Sequence, residues 1–163
     1  MRQIQLTQPA GLENLVLCDV DSPKATPDEV VVKISASSLN FHDLMVALGF
    51  IPTDDKRVPL SDAAGEIIEV GANVSQWQVG DKVMSVCFPN WQSGPPKYDL
   101  LSFIGDNEDG YAAESIAIPA TAITRIPNNM SLQEAATLPC ACLTAWRALV
   151  DEGKLKKLSL IHI

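Results

Sequence analysis

The four cysteines of this chain, Cys18, Cys87, Cys140 and Cys142, form neither a C-x-x-C pair nor an even disulfide framework. Reduced thiols in a cytoplasmic protein are the matching expectation. Positive charge is scarce as well: 12 Lys and Arg stand against 20 Asp and Glu, a net charge of −8. Nucleic-acid phosphates and anionic membrane surfaces would both be repelled, so neither partner is expected. No stretch approaches the ~20 apolar residues of a membrane span, and MRQIQLTQPAG lacks the apolar run of a signal peptide. Also missing is any G-x-G-x-x-G turn of the kind that cradles a dinucleotide.

What is present suits one ordinary domain with the start of a second: 163 residues, 47% of them hydrophobic. Residues 3–7 alternate as a half-buried strand should, and Leu15 to Asp19 reads as the hairpin partner. Glu29 to Ser37 opens on β-branched residues and predicts a central strand. Ala64 to Val70 reads as a buried strand, with Gly65 at a point where a neighbouring backbone approaches. Further strands are expected at 81–87, 111–118 and 122–126. A short helix starts after Asn40 and ends at Gly49, with Asp43 in its first turn. Residues 88–109 form a 22-residue loop with three prolines, a length usually tied to function.

From Ser131 the pattern turns helical. Ser131 and Glu134 form a capping box. Pro139 opens a second helix in which Leu143, Trp146, Leu149 and Val150 recur at helical spacing, and Gly153 closes it. Trp146 is expected in the core and Cys140 as a small buried residue.

One segment carries more than the rest. In LSDAAGEIIEVGANVSQWQVGDKVM, residues 60–84, the spacing of Gly65, Val70-Gly71, Val74, Gly80-Asp81 and Val83 resembles the medium-chain dehydrogenase/reductase signature. In that superfamily it lies in the N-terminal GroES-like domain. The resemblance implies a mainly β (α+β) fold, a GroES-like β-barrel with short helices, followed by helices that lead into a Rossmann domain. The division expected is 1–126 for the barrel domain and 127–157 for the helical connection. Residues 158–163, LSLIHI, are either a truncated first Rossmann strand or the translation of a transposon end used in sequencing libraries. Resequencing the locus from uncut genomic DNA distinguishes the two.

Zinc-dependent members of the superfamily share a Cys-x-x-Asp segment, a Gly-His-Glu segment and a later Cys. Here Asn40-Phe41-His42-Asp43 and Leu60-Ser61-Asp62 stand in the first two places, and only Cys140 falls on a sulfur position. That donor set does not suit tetrahedral zinc. The pattern instead resembles the zinc-independent quinone oxidoreductase branch, most closely in AATLPCACLTAWRAL, residues 135–149.

By that resemblance, Asn40 and Thr144 line the nicotinamide end of a cleft and Asp62 supports the loop beside it. The cofactor implied is NADP(H) or NAD(H), held mainly by a further domain, with no zinc. The substrate implied is a small carbonyl compound or a quinone, and the full-length protein is expected to be a homodimer. His42 is a candidate general acid, imidazoles being suited to proton transfer near neutrality; a partly exposed bystander is the alternative. Asn40 also reads as a helix cap, Asp43 as a helix-start carboxylate, and Thr144 as a hydroxyl bonded back to its own helix. Trp91 and Tyr98, in the long loop, are candidates for a substrate-pocket wall. Two rival functions stand beside the reductase: a stand-alone GroES-like binding or assembly module, and a zinc alcohol dehydrogenase with altered ligands.

Overall fold

The computed structural model describes residues 1–95, 97–100 and 102–157. Strands β1 (Arg2–Leu6) and β2 (Leu15–Asp19) form a two-stranded hairpin. Strands β3 (Glu29–Ser38), β4 (Asp62–Val70), β5 (Lys82–Ser85), β6 (Ser115–Pro119) and β7 (Ile123–Arg125) form a five-stranded sheet. Its order is β6-β3-β4-β5-β7, antiparallel throughout, and it is open at β6 and β7 among the described residues. The hairpin is tied to this layer where Ile4 N–H donates to Ala112 O at 2.8 Å and Leu6 N–H to Arg57 O at 2.8 Å.

Strand β3 lies inside the sheet, between β6 and β4; its Val30, Val31 and Val32 are all buried, as suits β-branched side chains on a pleated surface. Gly65 on β4 has the role its position predicts. A Cβ there would meet Lys33 O of β3 at 2.1 Å, so any side chain would force the pair apart. Val30, Val32, Ile67, Val83, Tyr111 and Ile118 make up much of the core on which the sheet rests.

The strand expected at 111–118 is shorter than its sequence suggests. Residues 110–112 instead bond to 58–60: Gly110 N–H to Val58 O, Tyr111 N–H to Leu60 O and Ala112 N–H to Pro59 O. Regular pairing with β3 begins only at Ser115.

Helix α1 (Phe41–Ala47) follows β3, and α2 (Leu132–Ala135) carries the expected capping box: Glu134 N–H donates to Ser131 Oγ at 3.2 Å, Ser131 N–H to Glu134 Oε2 at 2.8 Å. Ala135 and Ala136 pack on Ala64 of β4. A longer helical run then spans 138–152: wide-turned π segments at Leu138–Cys142 and Arg147–Glu152 flank α3 (Leu143–Trp146). Pro139 opens it and Gly153 closes it, as expected.

One expectation here is corrected. Trp146 is 59% exposed, Leu143 59% and Leu149 42%, so the apolar stripe of this run faces outward and not into the sheet. Helical periodicity reports that one face is apolar; it does not report what covers that face. Cys140 is half-buried where full burial was expected. No helix among the described residues is long and apolar enough to cross a membrane. The end segment 158–163 lies outside the described residues.

Candidate functional site

The start of α1 and the start of β4 meet, and polar side chains from both fill the junction. Asn40 sits just ahead of α1, and its backbone N–H donates to Asp43 Oδ2 at 2.8 Å, one arm of a capping box. The other oxygen of Asp43 accepts from Ser61 N–H at 3.0 Å. A buried carboxylate that the sequence marks as a helix-start group therefore also straps α1 to the segment leading into β4. Burial raises its pKa above the usual carboxylate value, against the lowering effect of those hydrogen bonds and of His42.

The Asn40 side chain reaches across the junction. Its Nδ2 donates to Ser61 Oγ at 3.2 Å and to Asp62 Oδ2 at 3.0 Å. Asp62 is fully buried at the head of β4, and its Oδ2 also accepts Cys140 N–H at 3.0 Å and the Ser38 hydroxyl at 3.5 Å. One oxygen thus gathers donors from the end of β3, from the cap of α1 and from the helical run 138–152. The second oxygen, Oδ1, is buried without a partner. Burial is the leading cause of a raised Asp62 pKa, opposed by Asn40 and the Cys140 N–H and reinforced by Asp43.

The shell around Asp62 is also polar. Ser85 Oγ accepts Ala63 N–H at 3.0 Å. Tyr111 is buried beside Ser85, its hydroxyl without a well-formed hydrogen bond, and burial and the Asp62 charge push it far up. Burial together with Asp62 and Cys140 pushes the Cys87 thiol up to about 12. Leu60, the residue before Ser61, adopts φ +79°, a region that disfavours side chains. It is held there because Gly110 lies flat against it: a Cβ on Gly110 would meet Leu60 O at 2.3 Å.

The remaining sequence-predicted residues divide into three. Thr144 is exposed one turn beyond Cys140, its hydroxyl donating to Cys140 O at 2.6 Å, so the back-bonded reading describes this state. His42 and Trp91 belong to a line of rings. His42 lies 4.3 Å from Phe103, Phe103 5.3 Å from Phe88, and Phe88 6.3 Å from Trp91, between centroids. The Arg147 guanidinium sits 5.9 Å from the Trp91 ring at its far end. Tyr98 stands apart, 96% exposed in the short turn Tyr98–Leu100.

Sequence reasoning missed two members. Asp106 Oδ2 lies 2.9 Å from His42 Nε2, with the Asp106 side chain only 8% exposed; 64 positions separate the two, and no motif links them. Cys87 was given no role from sequence, yet the Asp62 carboxylate and Cys140 act on its thiol. A cavity of about 510 Å³ lies elsewhere, lined by Gln3, Glu29, Arg57, Glu108 and Ile116, and none of the sequence-predicted site residues lines it.

The alcohol dehydrogenase GroES-like domain family matches residues 26–128. A zinc-type alcohol dehydrogenase-like protein of Schizosaccharomyces pombe is 37% identical over 153 residues, covering 91% of this chain and 44% of the relative. A chloroplast envelope quinone oxidoreductase homolog of Arabidopsis thaliana is 36% identical over 151 residues, covering 90% and 40%. Among solved structures, a Sinorhizobium meliloti protein described as an alcohol dehydrogenase superposes with a TM-score of 0.85 at 32% identity, over 95% of this chain and 47% of that one. The chain therefore spans less than half the length of these relatives. With the family match covering more than half of its residues, the chain belongs to the alcohol dehydrogenase GroES-like domain family, within the medium-chain dehydrogenase/reductase superfamily.

Proposed function

We propose that this chain is the substrate-side lobe of an NAD(P)H-dependent oxidoreductase that reduces quinones or α,β-unsaturated carbonyls by hydride transfer without zinc. The observation that carries the reading is the donor set around Asp62. Asn40, Ser61 and Cys140 stand where the zinc-dependent pattern has Cys, His and Cys, and the Asn40 amide is bonded to Ser61 and Asp62 at 3.2 and 3.0 Å. One thiol beside an amide and a hydroxyl does not supply the three Cys, His or carboxylate ligands of a catalytic zinc site. Among the described residues no group of three such side chains is placed to hold a metal ion. The Arabidopsis relative described as a quinone oxidoreductase homolog supports the substrate class.

A nicotinamide cofactor would supply the hydride, and this chain the orientation. Asn40 has both amide hydrogens committed, which leaves its amide oxygen as an acceptor suited to a carboxamide N–H. Thr144, exposed and linked to Asn40 through Cys140 and Asp62, is the second candidate to meet the cofactor. Asp62 is too deeply buried to touch a ligand and acts by fixing Asn40 and the Cys140 backbone. His42 is the proton source for the developing alkoxide or enolate; with Nε2 engaged by Asp106, transfer falls to Nδ1.

The test is oxidation of NADPH and NADH with a benzoquinone, an enone and a simple aldehyde, on the protein its whole reading frame encodes, with and without EDTA. Turnover of the quinone or enone that EDTA leaves unchanged is the expected result. Turnover of the aldehyde alone, or activity abolished by EDTA and restored by zinc, overturns the reading.

A further inference from the structure

The proton transfer proposed above runs through His42, and the role assigned below to Asp106 rests on that reading. Asp106, whose Oδ2 lies 2.9 Å from His42 Nε2, sits in a tight turn of the 88–109 loop. Asn107 N–H closes that turn on Phe103 O at 3.2 Å, and Gly105 N–H on Glu108 O at 2.9 Å. Gly105 has φ +94°, and a Cβ on it would crowd the Leu60 backbone at 3.2 Å, so the turn lies against Leu60. From the other side, the first turn of α1 is strapped to the next residue, where Asp43 accepts Ser61 N–H at 3.0 Å. His42 and Asp106 are thus each anchored to the same short segment ahead of β4.

We propose that Asp106 is the positioning residue of this proton transfer: it holds the His42 ring with its proton on Nε2 and leaves Nδ1 to exchange protons with substrate. A carboxylate only accepts, so the 2.9 Å bond is Nε2–H donating to Oδ2. The other oxygen, Oδ1, accepts Asn107 N–H of its own turn, which fixes the carboxylate at both ends. Phe103, 4.3 Å away and tilted by 52°, packs against the imidazole and restricts its rotation. The Asp106 side chain is 8% exposed and that of His42 29%, so substrate can reach the imidazole and not the carboxylate.

The proton count closes without a ring flip. The protonated ring gives its Nδ1 proton to the oxyanion that hydride addition creates, and the electron pair of the broken N–H bond stays on Nδ1. The neutral ring is left with its remaining proton on Nε2, the tautomer that the carboxylate selects. Solvent returns a proton to Nδ1 before the next turnover. In the opposite tautomer the Nε2 lone pair would face the carboxylate oxygen and be repelled by it.

The experiment is long-range proton–nitrogen NMR of the 163-residue chain at a pH where the imidazole is neutral, the His42 signal being assigned by its loss in His42→Gln. Wild type is expected to carry the ring proton on Nε2 and none on Nδ1. In Asp106→Asn the amide oxygen can keep Asn107 N–H while the NH2 group turns to Nε2, so the ring proton moves, in whole or in part, to Nδ1. Kinetics on the protein its whole reading frame encodes give the second readout. Asp106→Asn lowers kcat about 10- to 100-fold with KM little changed, part of what a positioned general acid contributes. It adds no further loss in a His42→Gln background. A wild-type ring protonated on Nδ1, an unmoved proton in Asp106→Asn, or an unchanged kcat in that variant overturns the role of Asp106 alone. Full turnover in His42→Gln overturns the proton-source reading and the role of Asp106 with it, so the two failures are told apart.

Discussion

Asn40 and Asp62, 22 positions apart, are joined by a 3.0 Å hydrogen bond between the Asn40 amide and the one Asp62 oxygen that has partners. That bond closes the junction between α1 and β4, and it makes the charge on Asp62 a matter of stability. Burial raises the pKa of Asp62, and of Asp43 beside it, above the unfolded carboxylate value. A group shifted this way binds more protons folded than unfolded between the two values. Its contribution is fully present below the unfolded value of ~3.9 and is lost as pH rises through the folded one.

Asp62→Asn removes that titration while keeping an acceptor oxygen for Asn40 and Cys140 N–H. The stability difference between wild type and variant is therefore expected to favour wild type most near pH 4 and to shrink as pH rises toward 7. Urea unfolding across that range measures it; a gap that widens with pH would contradict the account of Asp62.

Asp106→Ala removes the hydrogen-bond partner of His42 and one anchor of the long loop. The cost expected is about 1 kcal/mol, the net contribution of a typical intramolecular hydrogen bond. Hydrogen exchange should speed up in residues 102–109 and stay unchanged in β3 and β4. Unchanged exchange in the loop would show that Phe103 stacking alone holds it.

Trp146→Lys tests the correction to the core. A tryptophan 59% exposed should be replaceable within about 0.5 kcal/mol in this chain, whereas a core tryptophan would cost about 3–5 kcal/mol. Chemical denaturation separates the two outcomes directly.

The donor-set argument has a constructive test. Asn40→Cys with Ser61→His adds a thiolate and an imidazole beside Cys140, the three ligand types of the zinc-dependent pattern. The double variant is expected to bind cobalt(II) at one equivalent, with the thiolate-to-metal absorption that wild type lacks. Equal binding by wild type would remove the distinction on which zinc independence rests.

The sheet was legible where chemistry is local. The β-branched opening of β3 and the backbone contact at Gly65 are properties of short segments, and the structure shows both. Asn40 and Asp62 were legible as motif members, although their direct bond was not. His42 and Asp106 are brought together across 64 positions, and nothing in either neighbourhood announces the other. The outward face of 138–152 escaped for another reason: an amphipathic period is the same whether its apolar side is covered by this chain's sheet or by something else.

The ring line from His42 through Phe103, Phe88 and Trp91 to Arg147 has a mechanical consequence. It spans the 88–109 segment and is gripped at one end by α1 and at the other by the helical run. Arg147 of the helical run and His42 of α1 are thereby joined through three intervening rings, a second connection between those two elements that does not pass through Asp62.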